Sequence, residues 1–294
     1  MVLCPLCNNA SKLFMQTEDY NRITSRLLFN YYRCTKCGLI FLSPIPVDLG
    51  DYYPNGYYSI PNKISDLALA AEQERYKIDI VKKYANNGRL LEIGPSFGSF
   101  LYLAKQVGFE SEAIEMDSAC CNFLHDVVGV KAVQSADPES ALRNMSPYDV
   151  ITMWHVIEHL PDPWQLLKTA GEKLNPGGIL VIAAPNPFAL QFHIMGRFWP
   201  HVDAPRHVAL IPESLLTDRI TAMGFKKVLT TTDDPGARGW NIFGWQFFFT
   251  NLSQNRFLKF GLRIFGRLIA AFMSPFERRE GKGSAYTLVF RKEL

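Results

Sequence analysis

Apolar positions change their spacing repeatedly along the chain, from short runs typical of strands to the three- and four-residue spacing of helices. Short apolar runs predict strands at Arg89–Ile93, Glu112–Met116, Lys131–Val133, Asp149–Met153, Ile179–Ala183, Phe225–Thr231 and Tyr286–Arg291. Helical spacing predicts helices at Ser99–Val107, Ser118–Val127, Trp164–Leu174 and Glu213–Met223, with another starting at Pro138. Strands that alternate with helices predict an α/β fold with a doubly wound, largely parallel sheet.

The same patterns divide the chain. Residues 1–45 contain paired cysteines and short β-prone runs, and residues 46–85 form a Pro- and Tyr-rich linker followed by a helix over Asp66–Ala85. We expect this linker to pack over a neighbouring surface, because its tyrosines need burial. Residues 86–294 form the α/β domain, with residues 236–283 inserted between its last two strands.

Four of the six cysteines form two CxxC pairs, Cys4 with Cys7 and Cys34 with Cys37. Two such pairs supply four thiolates to one tetrahedral centre, which predicts a structural zinc ion with no open coordination position. A redox dithiol is the alternative, but matched pairs separated by β-prone runs favour zinc. The adjacent Cys120 and Cys121 begin a helix and are expected to pack in the core.

Charge is unevenly distributed along the 294 residues, whose formal net charge is +3. Residues 255–294 hold nine basic and three acidic residues, and the rest of the chain is slightly acidic. This distribution argues against a global nucleic-acid surface. The first residues lack a signal-peptide pattern, and no stretch reaches the roughly 18 apolar residues of a spanning helix. We therefore expect a cytoplasmic protein, with peripheral membrane contact as an extension of that expectation.

A glycine-bearing turn joins the first strand of the α/β domain to its helix. Glu92 precedes Gly94 by two residues, and Gly98 completes a GxxxG pattern. A dinucleotide site would read GxGxxG and place a pyrophosphate on the helix N-terminus. A carboxylate at this point suits a ligand with a cationic amino-acid moiety better than one with two phosphates. The alternative is a simple strand-to-helix connection.

The second strand ends in an acidic residue about 21 positions after Gly94. A carboxylate at this tip binds the two ribose hydroxyls of a nucleoside in many α/β folds. Glu115 is the candidate, since Asp117 is expected to cap the next helix.

Together the segments LEIGPSFGSFL, AIEMDS, YDVITMWHVIEHLPDP, LNPGGILVIAAPNP and DAPRH resemble class I methyltransferases that use S-adenosylmethionine, in particular their zinc-ribbon-bearing branch. The resemblance implies a seven-stranded Rossmann-like sheet whose last strand is antiparallel. It places the cofactor against Glu92, Gly94, Pro95, Ser96, Phe97, Gly98, Glu115, Met116, Asp137, Trp154 and His155. Gly94 to Gly98 would contact the methionine part, Glu115 the ribose and Asp137 the adenine. Ser96 departs from the family, since many members have a third glycine there.

Two regions offer bases for the methyl acceptor. His155, Glu158 and His159 follow strand four, with a spacing that would place them on one side of a helical turn. They would shape the cofactor pocket or hold a divalent metal, as in some quinone O-methyltransferases that this motif resembles.

The second region lies after strand five. Asp203 and His207 are candidates for an orienting carboxylate and a general base, and His201 is a further candidate base. The alternative is that His207 and Arg206 only brace this loop against the sheet.

The inserted segment contains a basic amphipathic helix within residues 256–273. Arg256, Lys259, Arg263 and Arg267 lie on one stripe, opposite a broad apolar side. Two interpretations compete, one in which the apolar side packs on the core as a lid, and one in which it contacts a membrane or a hydrophobic substrate.

The sequence therefore predicts a methyltransferase that acts on a small-molecule, saccharide or lipid-linked acceptor at oxygen or carbon. An RNA methyltransferase guided by the zinc ribbon is the alternative, although the ribbon has few basic residues for nucleic-acid binding. A non-catalytic module that only binds the cofactor is the third possibility.

Overall fold

The computed structural model describes residues 1–53 and 56–293; Pro54 of the linker lies outside these ranges. The strands are β1 (Val2–Leu3), β2 (Ala10–Thr17), β3 (Phe29–Cys34), β4 (Ile40–Leu42), β5 (Gly88–Ile93), β6 (Phe109–Glu115), β7 (Lys131–Gln134), β8 (Tyr148–Trp154), β9 (Leu174–Pro185), β10 (Ala209–Leu210), β11 (Phe225–Thr231) and β12 (Ala285–Lys292). The α-helices are α1 (Ile64–Gln73), α2 (Arg75–Lys82), α3 (Ser99–Gln106), α4 (Ser118–Phe123), α5 (Pro138–Arg143), α6 (Pro163–Lys173), α7 (Leu190–Met195), α8 (Glu213–Thr221), α9 (Pro235–Thr250) and α10 (Arg256–Glu277).

The larger sheet has seven strands in the order β11-β12-β9-β8-β5-β6-β7. β9, β8, β5, β6 and β7 are parallel, whereas β12 pairs antiparallel with both β9 and β11. Two buried clusters of apolar side chains cover its two faces. This arrangement confirms the predicted doubly wound, seven-stranded Rossmann-like sheet with an antiparallel last strand.

Two elements differ from their predictions. The leading helix is broken at Glu74 into α1 and α2, and Leu67 on one segment and Ile78 on the other are both buried. β9 starts at Leu174 rather than at Ile179, because the expected turn is an irregularity within the strand where its pairing with β8 shifts register.

The smaller sheet is antiparallel and has the order β1-β2-β3-β4-β10. Its last strand comes from the loop after β9, and Ala209 pairs with Phe41. A third cluster of buried side chains, including Tyr31 and Trp199, fills the space between this sheet and that loop. The cysteine-bearing segment is thus continuous with the structure that follows β9.

The insertion between β11 and β12 forms a hairpin of α9 and α10, which pack on each other. Among the described residues, we find no helix with the length and apolar character needed to cross a bilayer.

Candidate functional site

The four cysteines of the CxxC pairs converge at one point. Their ligand atoms lie within 4.8 Å of one another, with Sγ–Sγ distances of 3.5 Å between Cys7 and Cys34 and 3.7 Å between Cys4 and Cys37. The backbone N–H groups of Lys36 and Cys37 point at the Cys34 sulfur at 3.4 Å. Four convergent thiols with backbone donors fit a tetrahedral zinc ion.

The glycine turn after β5 adopts backbone angles that require its glycines. Gly94 and Gly98 have φ of +68° and +83°, and Ser96 between them has φ of +55°. A Cβ on Gly94 would lie 2.8 Å from a methyl group of Val156. The turn therefore brings bare backbone close to the segment after β8, an approach that a side chain at Gly94 would prevent.

Three buried polar atoms without hydrogen-bond partners lie on one face of the sheet at this turn. They are Glu92 Oε2, Thr152 Oγ1 and Trp154 Nε1. Glu92 pairs with Thr152 across β5 and β8, and Trp154 is two residues further along the same strand. Burial raises the pKa of Glu92 to about 8. An acceptor, a hydroxyl and a donor without protein partners fit the ammonium and carboxylate of an amino-acid moiety.

Glu115 closes the other side of the turn. Its carboxylate accepts hydrogen bonds from the backbone N–H groups of Ser96 at 2.9 Å, Met116 at 2.8 Å and Asp117 at 2.9 Å. Burial raises the pKa of Glu115. Asp117 caps α4 by accepting from Cys120 N, as expected. Glu115 and the exposed Met116 line a cleft beside the glycine turn.

Asp137 caps a helix, whereas its neighbours in sequence line the cleft. Its side chain caps α5 by accepting from Ser140 N at 3.1 Å, whereas Ser135, Ala136 and Pro138 line the cleft. The adenine contact assigned to Asp137 remains a prediction. Pro95 is buried and Phe97 half-buried in the turn itself.

Tyrosines of the linker cover the cleft. Tyr53, Tyr57 and Tyr58 are among its lining residues, and burial raises the pKa of each. The sequence indicated that these aromatic residues would be buried, but gave no signal that they would lie over this cleft.

A second cavity, of about 420 Å³, adjoins the cleft. Both are lined by Tyr57, His155 and His159. The remaining residues of the second cavity are Asn21, Arg22, Glu158, Pro200, His201, Asp203, His207, Trp240, Phe243 and Phe247. We call it the acceptor cavity, because a molecule inside it would lie next to the ligand in the cleft. Both regions of candidate bases therefore meet here.

His155 is held between two side chains in the acceptor cavity. Trp240 Nε1 donates to His155 Nε2 at 3.1 Å, and His155 Nδ1 lies 3.3 Å from Glu158 Oε1. An indole nitrogen only donates, so His155 Nε2 is the unprotonated nitrogen. Burial raises the pKa of Glu158, but His155 and the other histidines nearby outweigh burial and lower that pKa to about 2. An ionised carboxylate thus faces the proton-bearing side of the ring.

The predicted pair of Asp203 and His207 does not form a hydrogen bond. Asp203 Oδ2 lies 3.9 Å from His207 Nε2, because both oxygens of this carboxylate accept from Arg206 at 2.7 and 3.1 Å. His207 Nδ1 donates instead to the carbonyl of His201 at 2.8 Å. Burial lowers the pKa of His201 to about 3.

Arg206 connects this loop to the cysteine-bearing segment. Its Nη2 lies 2.6 Å from Asp19 Oδ1, and both side chains are fully buried. Tyr31 of β3 donates its hydroxyl to the carbonyl of His207 at 2.7 Å. Arg206 thus braces the loop, in agreement with one of the two expectations, and its partner Asp19 was not recognised from the sequence.

A divalent cation would find ligands at Glu158, His159 and His207, whose ligand atoms lie within 4.8 Å of one another. His159 Nδ1 lies 3.1 Å from the carbonyl of Arg206, and burial lowers the pKa of His159 to about 4. Two imidazoles whose Nδ1–H groups donate to carbonyls leave Nε2 free, the usual arrangement around a bound metal. His155 is not part of this group.

Comparison with known proteins agrees with this geometry. Residues 69–230, more than half of the chain, match the family model described as a methyltransferase domain. The ubiquinone biosynthesis O-methyltransferases of Saccharophagus degradans and Aliivibrio fischeri are 29% and 27% identical over 115 and 130 residues, which is 37% and 42% of this chain. These matches cover 49% and 53% of the two relatives, so the chain spans about half the length of the curated relatives it matches.

Two solved structures share the fold. A SAM-dependent methyltransferase from Archaeoglobus fulgidus aligns over 76% of this chain and 94% of its own, with a TM-score of 0.52 and 21% identity. A phosphoethanolamine N-methyltransferase from Haemonchus contortus, in complex with phosphomonomethylethanolamine and S-adenosylhomocysteine, aligns over 97% of this chain and 68% of its own, with a TM-score of 0.53 and 13% identity. From the matched domain, it follows that this chain belongs to the methyltransferase domain family, and its sheet order is that of the Rossmann-like methyltransferase fold.

Proposed function

We propose that the protein methylates a hydroxyl oxygen on a small molecule whose apolar or aromatic body lies among Trp240, Phe243 and Phe247. The main support is the acceptor cavity. It has aromatic walls on one side, histidines on the other, and His155 at its junction with the cleft. The two curated relatives are named as O-methyltransferases, which supports oxygen as the methylated atom.

The residues that line the cleft and the glycine turn suggest how S-adenosylmethionine would bind. Glu92, Thr152 and Trp154 would hold the amino-acid moiety of S-adenosylmethionine, and Glu115 would accept hydrogen bonds from its ribose. The bound cofactor supplies a methyl group attached to a sulfonium sulfur. When an oxygen attacks the methyl carbon in line, the sulfur leaves readily as a thioether. The protein's tasks are to align that oxygen and to receive its proton.

His155 is the proposed base. Glu158 fixes the ring with Nε2 toward the cavity, where the indole N–H of Trp240 now donates to it. An acceptor hydroxyl that replaced Trp240 as this donor would place its proton on Nε2 while the oxygen bonds to the methyl carbon. His207, His201 and Asp203 would then contact the body of the acceptor.

A second activation chemistry has its own observation. Glu158 is fully buried beside His159 and His207, and its Oε2 has no hydrogen-bond partner. A divalent cation there would bind the acceptor oxygen and favour its deprotonated form. A chelator that leaves the cysteine site loaded distinguishes the two chemistries. Methyl transfer should stop if a divalent cation activates the acceptor, and should continue if His155 acts alone as the base.

We also propose that the cysteine site holds a structural zinc ion, and that residues 1–45 act with the methyltransferase domain rather than as a separate reader of RNA. The pairing of β4 with β10 and the Asp19–Arg206 ion pair support this role. The proposed partners are a small-molecule or lipid-linked acceptor; a saccharide or an RNA is the alternative tested below.

The acceptor class is tested by incubating the enzyme and methyl-labelled cofactor with fractionated cell extract. We expect label in a small organic or lipid fraction, as an ether that resists mild base. Label in the RNA fraction would overturn the proposal, and label in the saccharide fraction would replace the acceptor class.

The base is tested with His155→Gln, and the exposed His125→Gln serves as the matched control. We expect His155→Gln to lower kcat at least ~100-fold, with a much smaller change in the Kd for S-adenosylmethionine. Equal losses in both variants, or full activity in His155→Gln, would contradict the assignment.

A further inference from the structure

Helix α10 is attached to the molecule by a narrow side made of small residues. Gly266, Ala270 and Glu277 are its buried residues. A Cβ on Gly266 would lie 2.7 Å from Gln246 Cα, so the two helix backbones approach closely. Glu277 accepts from Trp245 Nε1 at 2.8 Å, which fixes the end of the helix.

Most large apolar side chains of α10 face away from the protein, whereas Ile269 and Met273 pack against the third buried cluster. Phe257 is 89% exposed, Phe260 70% and Phe272 71%. Further exposed members of the same face are Leu258, Ile264, Leu268 and Phe276, and Phe265 at the edge of this face is partly exposed and contacts Phe249 of α9. At 100° per residue all of these fall in an arc of about 160° opposite Gly266 and Ala270. The expectation that this helix closes over the core as a lid by burying its apolar side is therefore wrong.

A stripe of positive charge runs along one margin of this face. Arg256, Arg263 and Arg267 are exposed and lie within about 40° of one another around the helix axis. From residue 256 to residue 276 the helix has no acidic residue. The charge at this margin therefore has no acidic counterpart on the helix itself.

A contiguous exposed apolar face of this size marks a docking surface. A second copy of this chain, placed face to face, would bring arginines near arginines without a carboxylate between them. A bilayer that contains anionic lipid offers an apolar interior for the phenylalanines and phosphates for the arginines. The charge pattern thus distinguishes between these two occupants.

We propose that α10 docks the protein on an anionic lipid surface, with the helix axis in the plane of the interface and Phe257, Phe260 and Phe272 among the acyl chains. This inference does not depend on the identity of the acceptor. It also fits the position of α9, which carries α10 on one side and presents Phe243 and Phe247 to the acceptor cavity on the other. Docking would hold that cavity near the membrane surface.

The test is flotation of the full-length protein with vesicles of equimolar phosphatidylglycerol and phosphatidylcholine. We expect the wild type to float and the double variant Phe260→Glu, Phe272→Glu to lose binding by more than ~10-fold. Leu69→Glu, at a site 72% exposed on α1, is the matched control and should float like the wild type. The variant Arg256→Gln, Arg263→Gln, Arg267→Gln should lose preference for phosphatidylglycerol over pure phosphatidylcholine vesicles.

Unchanged flotation of the double variant, or absence of wild-type flotation, would overturn the proposal. If the wild type is a dimer, the double variant is a monomer and neither binds vesicles, the apolar face is assigned to a second copy of the chain. Folding is checked by the affinity for S-adenosylmethionine, which these surface changes should leave unaltered. That measurement also separates failure of docking from failure of the proposed methyl transfer.

Discussion

At the scale of single residues, the proposed cofactor site is marked by buried polar atoms that have no hydrogen-bond partner in the protein. The sequence located the glycine turn and Glu115, because the spacing of a strand, a turn and a helix is local. It could not locate Thr152 or Tyr53, since their contacts join strands and loops that are distant in sequence. The sequence also paired Asp203 with His207. It could not show that Arg206 donates hydrogen bonds to both oxygens of Asp203.

Glu92 should release a proton when the cofactor binds. Its pKa of about 8 keeps the carboxyl mostly protonated at pH 7. An ammonium group beside it favours the charged form and lowers that pKa, so binding should release close to one proton at pH 7. Calorimetric titration in buffers of different ionisation enthalpy measures this release. Glu92→Gln should bind without it; a wild type with no buffer dependence would show that Glu92 does not face the ammonium.

The buried ion pair of Asp19 with Arg206 should be important for stability. Removal of one partner leaves the other charge buried and unpaired, which typically costs about 3–5 kcal/mol. We expect Arg206→Met to lower the free energy of unfolding by that amount in denaturant titrations. The double variant Asp19→Asn, Arg206→Met should recover part of the loss. A change of less than about 1 kcal/mol in Arg206→Met would indicate that the pair is not formed.

At the scale of elements, the periodic strands and helices of the α/β domain were predicted well, because each buries a face that its own spacing reveals. The break at Glu74 and the early start of β9 were missed, since both depend on what the segment packs against. The sequence left the orientation of α10 open, between a lid on the core and an apolar side that contacts a membrane or a hydrophobic substrate, for a related reason. The wide apolar side of α10 suggests the contact with the protein, yet its narrow side with Gly266 and Ala270 is the buried one.

Two glycines of α10 give a matched pair for testing this packing. A side chain at Gly266 meets the backbone of α9, whereas a Cβ at Gly261 meets nothing within 4 Å. Gly266→Leu should destabilise the protein by about 1–3 kcal/mol or separate the hairpin. Gly261→Leu should be neutral or stabilising by up to about 1 kcal/mol. Thermal unfolding followed by circular dichroism compares them, and equal effects would refute the close approach of the helices.

At the scale of the whole molecule, the cysteine-bearing segment and the acceptor cavity are parts of one structure. The sequence predicted the segment and its four cysteines, and it treated residues 1–45 as a separate unit. That division remains a prediction, but β10 and Tyr31 tie the small sheet to the loop that contains His207. Short-range patterns carry no information on a two-residue strand such as β10.

Loss of the proposed zinc ion should therefore affect methyl transfer more than cofactor binding. The wild type should contain one zinc ion per chain by elemental analysis, and Cys7→Ser should lose most of it. We expect this variant to lose at least ~10-fold in kcat, with little change in the Kd for S-adenosylmethionine, because the glycine turn lies in the other sheet. A zinc-free variant with full activity would contradict the structural link between the segment and the cavity.

The place of β12 in the larger sheet affects how the protein is made. β11 leaves the ribosome before β12, yet β12 is its pairing partner and separates it from β9. Until β12 is synthesised, β11 has no neighbour in the growing sheet, and the α9–α10 hairpin is tethered at one end. The apolar side of α10 is exposed on this unfinished chain as it is in the complete fold, and we expect newly made protein to need either a chaperone or a nearby bilayer at that stage.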